Sequence, residues 1–103
     1  MKLKELYEIL EATGIPTTYK SWENEKKPQP PYICNFNQYT QNFYADGVVY
    51  YKIDHISIDL YTRLKDHQTE LLVENALSAF AWEKSEKYND KEQCYQITYE
   101  LEV

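Results

Sequence analysis

The chain has 103 residues, of which 43% are hydrophobic and 27% are charged, and its formal net charge is −6. This length and composition predict one folded domain over residues 1–103 and argue against a disordered chain. The acidic balance, with no basic run beyond Lys26-Lys27, argues against a protein that binds specific nucleic acid sequences, and no stretch approaches the roughly 18 apolar residues of a membrane span.

The N-terminal segment predicts a helix over residues 2–13. Its apolar residues recur at the spacing of one helix face: Leu3, Leu6, Tyr7 and Leu10. Gly14 suits the position that follows a helix, and Pro16 cannot continue one. Because the lysine-bearing start runs straight into this acidic amphipathic pattern, it does not resemble a signal peptide. We therefore expect synthesis in a cytoplasm, with Cys34 and Cys94 as reduced thiols on strands.

A connector follows over residues 15–31. The segment Thr17–Tyr19 predicts a short edge strand. The polar, proline-bounded run after it predicts an exposed loop at about 20–31.

The next segment predicts a long β-hairpin. A strand candidate at 32–37 and a polar, aromatic run lead to Asp46-Gly47, a strong signal for a two-residue hairpin turn. Such a turn places Ala45 opposite Val48 and, farther from it, Ile33 opposite Leu60. The distal part, about 38–51, is then expected to project beyond the core.

The returning strand, Val48–Thr62, changes its hydrophobic phase along its length. In its second half Ile56, Ile58 and Leu60 share one face; in its first half the apolar set is Val49, Tyr51 and Ile53. A β-bulge near Asp54-His55 would turn the strand over by one residue. A strand that is covered on different faces along its length would give the same pattern, and the sequence leaves both explanations open.

The last third predicts a second helix and two strands. Asp66 can cap a helix at about 67–81, with Glu70 and Glu74 on its solvent side. The predicted buried face of this helix comprises Thr69, Val73, Ala76, Leu77 and Phe80. Mixed charges at 82–88 indicate a strand near a sheet edge, and unbroken alternation at 93–103 indicates a strand with one buried face.

This order of elements predicts an α+β fold. We expect an antiparallel or mixed β-sheet of about four to five strands with two helices packed on one face. The predicted core comprises Ile56, Ile58, Leu60, Val73, Leu77, Phe80, Ile97, Tyr99 and Leu101.

The projecting hairpin is the unusual feature of the sequence. It carries five aromatic residues that a small core cannot all accept: Tyr39, Phe43, Tyr44, Tyr50 and Tyr51. One interpretation is a protein–protein contact surface, in which aromatic residues are enriched. The other is aromatic packing across the two strands of one hairpin.

The sequence offers few residues for catalysis. With only Gly14 and Gly47, a phosphate-binding glycine loop is excluded. The candidate metal ligands are His55 and His67 with Asp54, Asp59 or Asp66. Asp54 and Asp59 are a candidate acid–base pair, and Cys34 or Cys94 is a candidate nucleophile. No spacing aims both histidines at one point. The two aspartates face opposite sides of a strand unless a bulge intervenes. Neither cysteine has a nearby helix N-terminus to lower its pKa. We therefore predict no enzymatic activity, no cofactor and no metal.

The chain resembles the tail terminator (tail completion) family of long-tailed phages and the related minor tail proteins of Gram-positive phages. The resemblance rests on the order and spacing of short stretches that span most of the chain. They are LKELYEIL with Gly14-Ile15-Pro16, Pro31-Tyr32-Ile33, Phe43-Tyr44-Ala45-Asp46-Gly47, Ile58-Asp59-Leu60-Tyr61-Thr62 with Lys65-Asp66, Val73-Glu74 with Ala76-Leu77, and Tyr95-Gln96-Ile97-Thr98-Tyr99.

The resemblance implies a non-catalytic structural protein of the virion tail, made in the bacterial host cytoplasm. Its subunits would form a hexameric ring that stops polymerisation of the tail-tube protein and docks the head-completion protein. The acidic balance is compatible with a ring through which DNA slides. The competing expectation is a small cytoplasmic protein-binding module of the inhibitor, anti-repressor or immunity type, acting as a monomer or dimer.

Overall fold

A computed structural model describes residues 3–20, 22 and 27–103, with the side chains of Val49 and Tyr50 left out. The elements are α1 (Leu3–Glu11), β1 (Thr17–Tyr19), β2 (Tyr32–Ala45), β3 (Val48–Thr62), α2 (His67–Ala76), β4 (Glu83–Asn89) and β5 (Cys94–Glu102). The five strands form one mixed sheet in the order β1-β2-β3-β5-β4. The α+β class with two helices is thereby confirmed.

The connector is described only in part. Residues 21 and 23–26 of the predicted exposed loop lie outside the described residues. In the described part Trp22 is half-buried, Lys27 is exposed and the Lys27 ammonium lies 5.7 Å from the centre of the Tyr32 ring. β1 pairs with β2 in parallel, with Thr17 beside Ile33 and Tyr19 beside Asn35. The sheet is mixed because of this short strand.

The two hairpin pairings expected from the sequence are both present, Ala45 beside Val48 and Ile33 beside Leu60. Between them lie two opposite register shifts, with Gln38 as the extra residue on β2 and Tyr50 as the extra residue on β3. The shifts cancel because each strand contributes one extra residue. At the turn, Asp46 and Gly47 have φ values of 54° and 75°. Positive φ at both central positions is what a type I′ hairpin turn requires.

The phase change of β3 occurs without a bulge near Asp54-His55. β3 pairs with β5 without any shift from His55 to Thr62, and the nearby bulge at Gln38 belongs to β2. Ile56, Ile58 and Leu60 therefore face the helices, while Tyr51 and Ile53 lie on the opposite face of the same strand. Of the two explanations left open by the sequence, the bulge near Asp54-His55 is therefore excluded for β3.

The core lies between one face of the sheet and both helices. Its fully buried members are contributed by α1, α2 and the three central strands: Leu6, Leu10, Ile33, Ile56, Ile58, Leu60, Val73, Leu77, Ile97 and Tyr99. Of the residues expected there, Leu101 is also buried, and Phe80 packs against the cluster while partly exposed. None of the helices in the described ranges is long and apolar enough to cross a membrane.

α2 differs from its prediction in length and in the position of Glu70. It ends at Ala76 instead of residue 81, and Leu77 is its C-cap. Asp66 caps the start as expected, its side chain accepting a hydrogen bond from the backbone N–H of Thr69. Glu70, however, is only 2% exposed, so the prediction that it lies on the solvent side is wrong.

Glu70 is buried in a cluster of opposite charges between α2 and the edge of the sheet. The Lys65 and Lys84 ammonium groups each lie 2.8 Å from its carboxylate oxygens. Lys84 also pairs with Glu74 at 2.8 Å, and Lys65 also pairs with Glu86. These partners make burial of the carboxylate tolerable, since a buried charge is stable only when it is paired and hydrogen-bonded.

Candidate functional site

The distal hairpin, residues 38–53, forms an arm that extends past the rest of the sheet. β5 leaves β3 at Val103, whose backbone N–H and C=O both bond to Asp54, at 2.9 and 3.1 Å. On the other side, β1 ends beside Asn35. Beyond these points only β2 and β3 pair with each other among the described residues, and the molecule measures 51 × 27 × 23 Å. The described part of the hairpin therefore extends past the strands that flank its base.

One face of the arm is a ladder of stacked rings. Tyr39 stacks on His55 with ring centres 4.1 Å apart, and Phe43 stacks on Tyr51 at 4.5 Å. Gln41 lies between these pairs along β2 and its side-chain oxygen is 3.1 Å from Nε2 of His55. We call this face the aromatic face. It is turned away from the helices, because Tyr51 and His55 have the opposite orientation to Ile56 on β3.

The predicted contact residues are divided between the two faces. Tyr39, Phe43 and Tyr51 lie on the aromatic face, whereas Tyr44 follows Phe43 directly and lies on the other. Tyr39, Tyr44 and Tyr51 are 56%, 66% and 49% exposed. The side chain of Tyr50, the fifth predicted residue, lies outside the described part of the chain. Stacking across the hairpin thus occurs and still leaves large parts of these rings uncovered.

The sequence prediction missed His55 as a member of the aromatic face. The signal was present, because Tyr51 and His55 have the period of a strand. The pairing of His55 with Tyr39 could not be read from the sequence, because it depends on the bulge at Gln38, which shifts the pairing by one residue. His55 Nδ1 also lies 3.7 Å from the Glu102 carboxylate on β5, which links the arm to the sheet.

A polar network holds the base of the arm on its other face. Asp54 Oδ1 accepts hydrogen bonds from Thr40 Oγ1 at 2.6 Å and from Asn37 Nδ2 at 3.1 Å. These bonds span the bulge at Gln38, where the ladder of backbone hydrogen bonds is interrupted. The arm is therefore fixed to the sheet at its base.

The helix-free face of the sheet continues the aromatic face into the body of the protein. It carries a shallow groove of about 420 Å³ whose lining includes Phe36, Asp59 and Thr98. Thr98 Oγ1 donates a 2.7 Å hydrogen bond to Asp59.

The residues weighed for catalysis do not form one site. Cys34 and Cys94 are buried free thiols, and burial, with the nearby charge of Asp59, raises the pKa of Cys34 to about 11. Such a thiol is a poor nucleophile at neutral pH, because the thiolate is the reactive form. His55 lies on β3 and His67 begins α2, so they lie in different elements. In the part of the chain that is described, no group of three or more potential metal ligands occurs.

The arm is thus hydrogen-bonded at its base and carries exposed aromatic residues along its length. No protein-family model matches the chain, and no curated protein or solved structure matches it either.

Proposed function

We propose that this protein is a structural subunit of a phage tail of the tail terminator type, which assembles into a ring through its arm. In this proposal the hexameric ring caps the tail tube, contacts the tail-tube protein on one side and receives the head-completion protein on the other. The protein is made in the host cytoplasm and ends in the virion tail.

The observation that carries the proposal is the exposure of the arm. Tyr39, Tyr44 and Tyr51 remain about half or more exposed, while the core between sheet and helices contains none of them. Aromatic rings that a folded subunit leaves uncovered favour a contact with another protein, because burying them removes a large apolar area from water.

Ring formation fits an arm of this kind. In a closed ring each subunit offers two different patches, because a head-to-tail contact is heterologous. A projecting hairpin can supply one patch, and a surface of the neighbour's body supplies the other. An aromatic anchor at the centre of such a contact is typically worth about 2 kcal/mol or more. The net charge of −6 is compatible with a ring around a DNA channel, since it favours sliding over gripping.

The test is the double substitution of Phe43→Ser with Tyr44→Ser. We expect the variant to keep the circular dichroism spectrum of the parent but to lose species heavier than a dimer in size-exclusion chromatography with light scattering. The matched control is Tyr88→Ser, which removes a ring of similar exposure, 50%, from β4. The control should assemble like the parent.

Two outcomes would contradict the proposal. Unchanged assembly with a large fall in thermal stability would mean that the arm rings belong to the folded core. A parent protein that never exceeds a dimer, alone or with tail tubes, and binds another protein tightly would favour the competing function, a small binding module.

A further inference from the structure

The outer edge of β2 is an open backbone edge in the described part of the protein. β1 covers β2 only from Ile33 to Asn35. From residue 36 to 45 the edge that faces away from β3 has no strand beside it among the described residues. β2 also contains no charged residue over all 14 positions, in a chain of which 27% is charged. An uncharged open edge is a template for pairing with another strand.

The other open edges differ from β2. In the arm, the outer edge of β3 carries the charged Lys52, and the far edge of the sheet is formed by β4. β4 has the sequence EKSEKYN, in which four of seven residues are charged, and charged side chains are a usual means of preventing edge-to-edge pairing. A strand of a second copy can therefore pair with the uncharged edge of β2 more easily than with the charged edge of β4.

We infer that the arms of two copies pair edge to edge through β2, antiparallel and centred on Gln41. The segment is self-complementary in this register. On the aromatic face Tyr39 comes opposite the second copy's Phe43, and the two Gln41 side chains face each other. On the other face Thr40 comes opposite Asn42. Aromatic pairs and hydrogen-bonding polar pairs at directly opposite positions stabilise antiparallel strands.

Charges at the ends of the open edge fit the same arrangement. The exposed Lys20 follows β1 and bonds through its backbone N–H to Asn35, so it marks one end of the edge. The exposed Asp46 of the turn marks the other end. In an antiparallel pair centred on Gln41, the Asp46 of each copy lies beside residue 36 of the other, next to its Lys20. Two attractions of opposite charge, one at each end, therefore favour this occupant over an unrelated strand.

This contact goes beyond the proposed ring and does not depend on it. It is two-fold and isologous, so it closes at two copies, whereas a ring needs a heterologous contact. The two copies form a continuous four-stranded ribbon, β3-β2-β2-β3, with one joint aromatic face.

Charge complementation separates the pairing from the stability of the arm. One variant carries Thr40→Lys with Asn42→Lys, and a second carries Thr40→Glu with Asn42→Glu. Both variants lose the hydrogen bond from Thr40 to Asp54, and mixing two variants cannot restore a bond within one arm. Each variant alone places like charges opposite each other, which destabilises paired strands. We expect the dissociation constant of each dimer to rise about tenfold or more over the parent's. Mixing the two variants places Lys opposite Glu and should restore a heterodimer, measured by light scattering on the separate and mixed samples.

A cysteine crosslink gives a second measurement that is independent of larger assemblies. Gln41→Cys places two thiols opposite each other across the two-fold axis, and mild oxidation should yield a disulfide-linked dimer. Lys87→Cys on β4 is the matched control and should stay uncrosslinked, and the native cysteines are buried. The inference is overturned if the mixed charged variants show no higher average molar mass than the separate samples. It is also overturned if Gln41→Cys crosslinks no faster than Lys87→Cys.

Discussion

Replacing Lys65 and Lys84 together with Met should strongly destabilise the protein. Both lysines are about one third exposed, but the carboxylate that they bind, that of Glu70, is 2% exposed. The substitution leaves this buried charge without a cation. Breaking a buried ion pair by removing one partner typically costs about 3–5 kcal/mol, and we expect a loss of free energy of unfolding in that range at pH 7.

The same substitution should change how the free energy of unfolding depends on pH. Burial raises the pKa of Glu70, but hydrogen bonds from Lys65 and Lys84 more than offset it and hold the pKa below its ordinary value of 4.5. The group therefore stabilises the parent fully above pH 4.5, and this contribution is lost as the pH falls through the lower folded-state pKa. Without the lysines only burial remains, so the pKa of Glu70 moves above 4.5. The variant then regains stability on acidification, and its deficit shrinks.

Urea unfolding followed by circular dichroism between pH 7 and pH 4 measures both effects. Lys87→Met, on the same strand as Lys84 and exposed, is the matched control and should change the free energy of unfolding by less than about 0.5 kcal/mol. A loss below about 1 kcal/mol for the double variant, or a deficit that stays constant over this pH range, would refute the reasoning.

Two further predictions concern the core and the thiols. Leu77→Ala removes a fully buried side chain and should lower the free energy of unfolding by about 2–5 kcal/mol in a denaturant titration. The control is Leu71→Ala in α2, a residue that is 57% exposed, which should cost less than about 0.5 kcal/mol. Equal losses would contradict the packing of α2. Cys34 should resist alkylation at pH 7 until the protein unfolds, because its pKa is raised to about 11; mass spectrometry that finds rapid modification of the folded protein would disprove this.

The hairpin shows how far local sequence patterns reach. The turn chemistry of Asp46-Gly47 predicts that Ile33 lies beside Leu60, because a turn sets the register of the strands it joins. The pairing is present because two register shifts between the turn and Ile33 cancel. The compensating shifts at Gln38 and Tyr50 were not predictable, since a bulge relieves a mismatch between two strands that neither strand displays by itself. The aromatic residues of the hairpin were sufficient to identify it as the candidate site. The division of those residues between two faces depends on the register shifts.

The sequence by itself determined the helices, the strands, the hairpin turn and most of the core, since each depends on residues close together in the chain. Only the tertiary structure decided that β1 pairs in parallel with β2, that β5 inserts between β3 and β4, and that Glu70 is buried. These features depend on residues far apart in sequence, such as Lys84 on β4, whose charge allows a glutamate of α2 to leave water. A local pattern identifies Glu70 as polar, and polar residues are normally exposed, so its burial follows only from the partners that the fold brings to it.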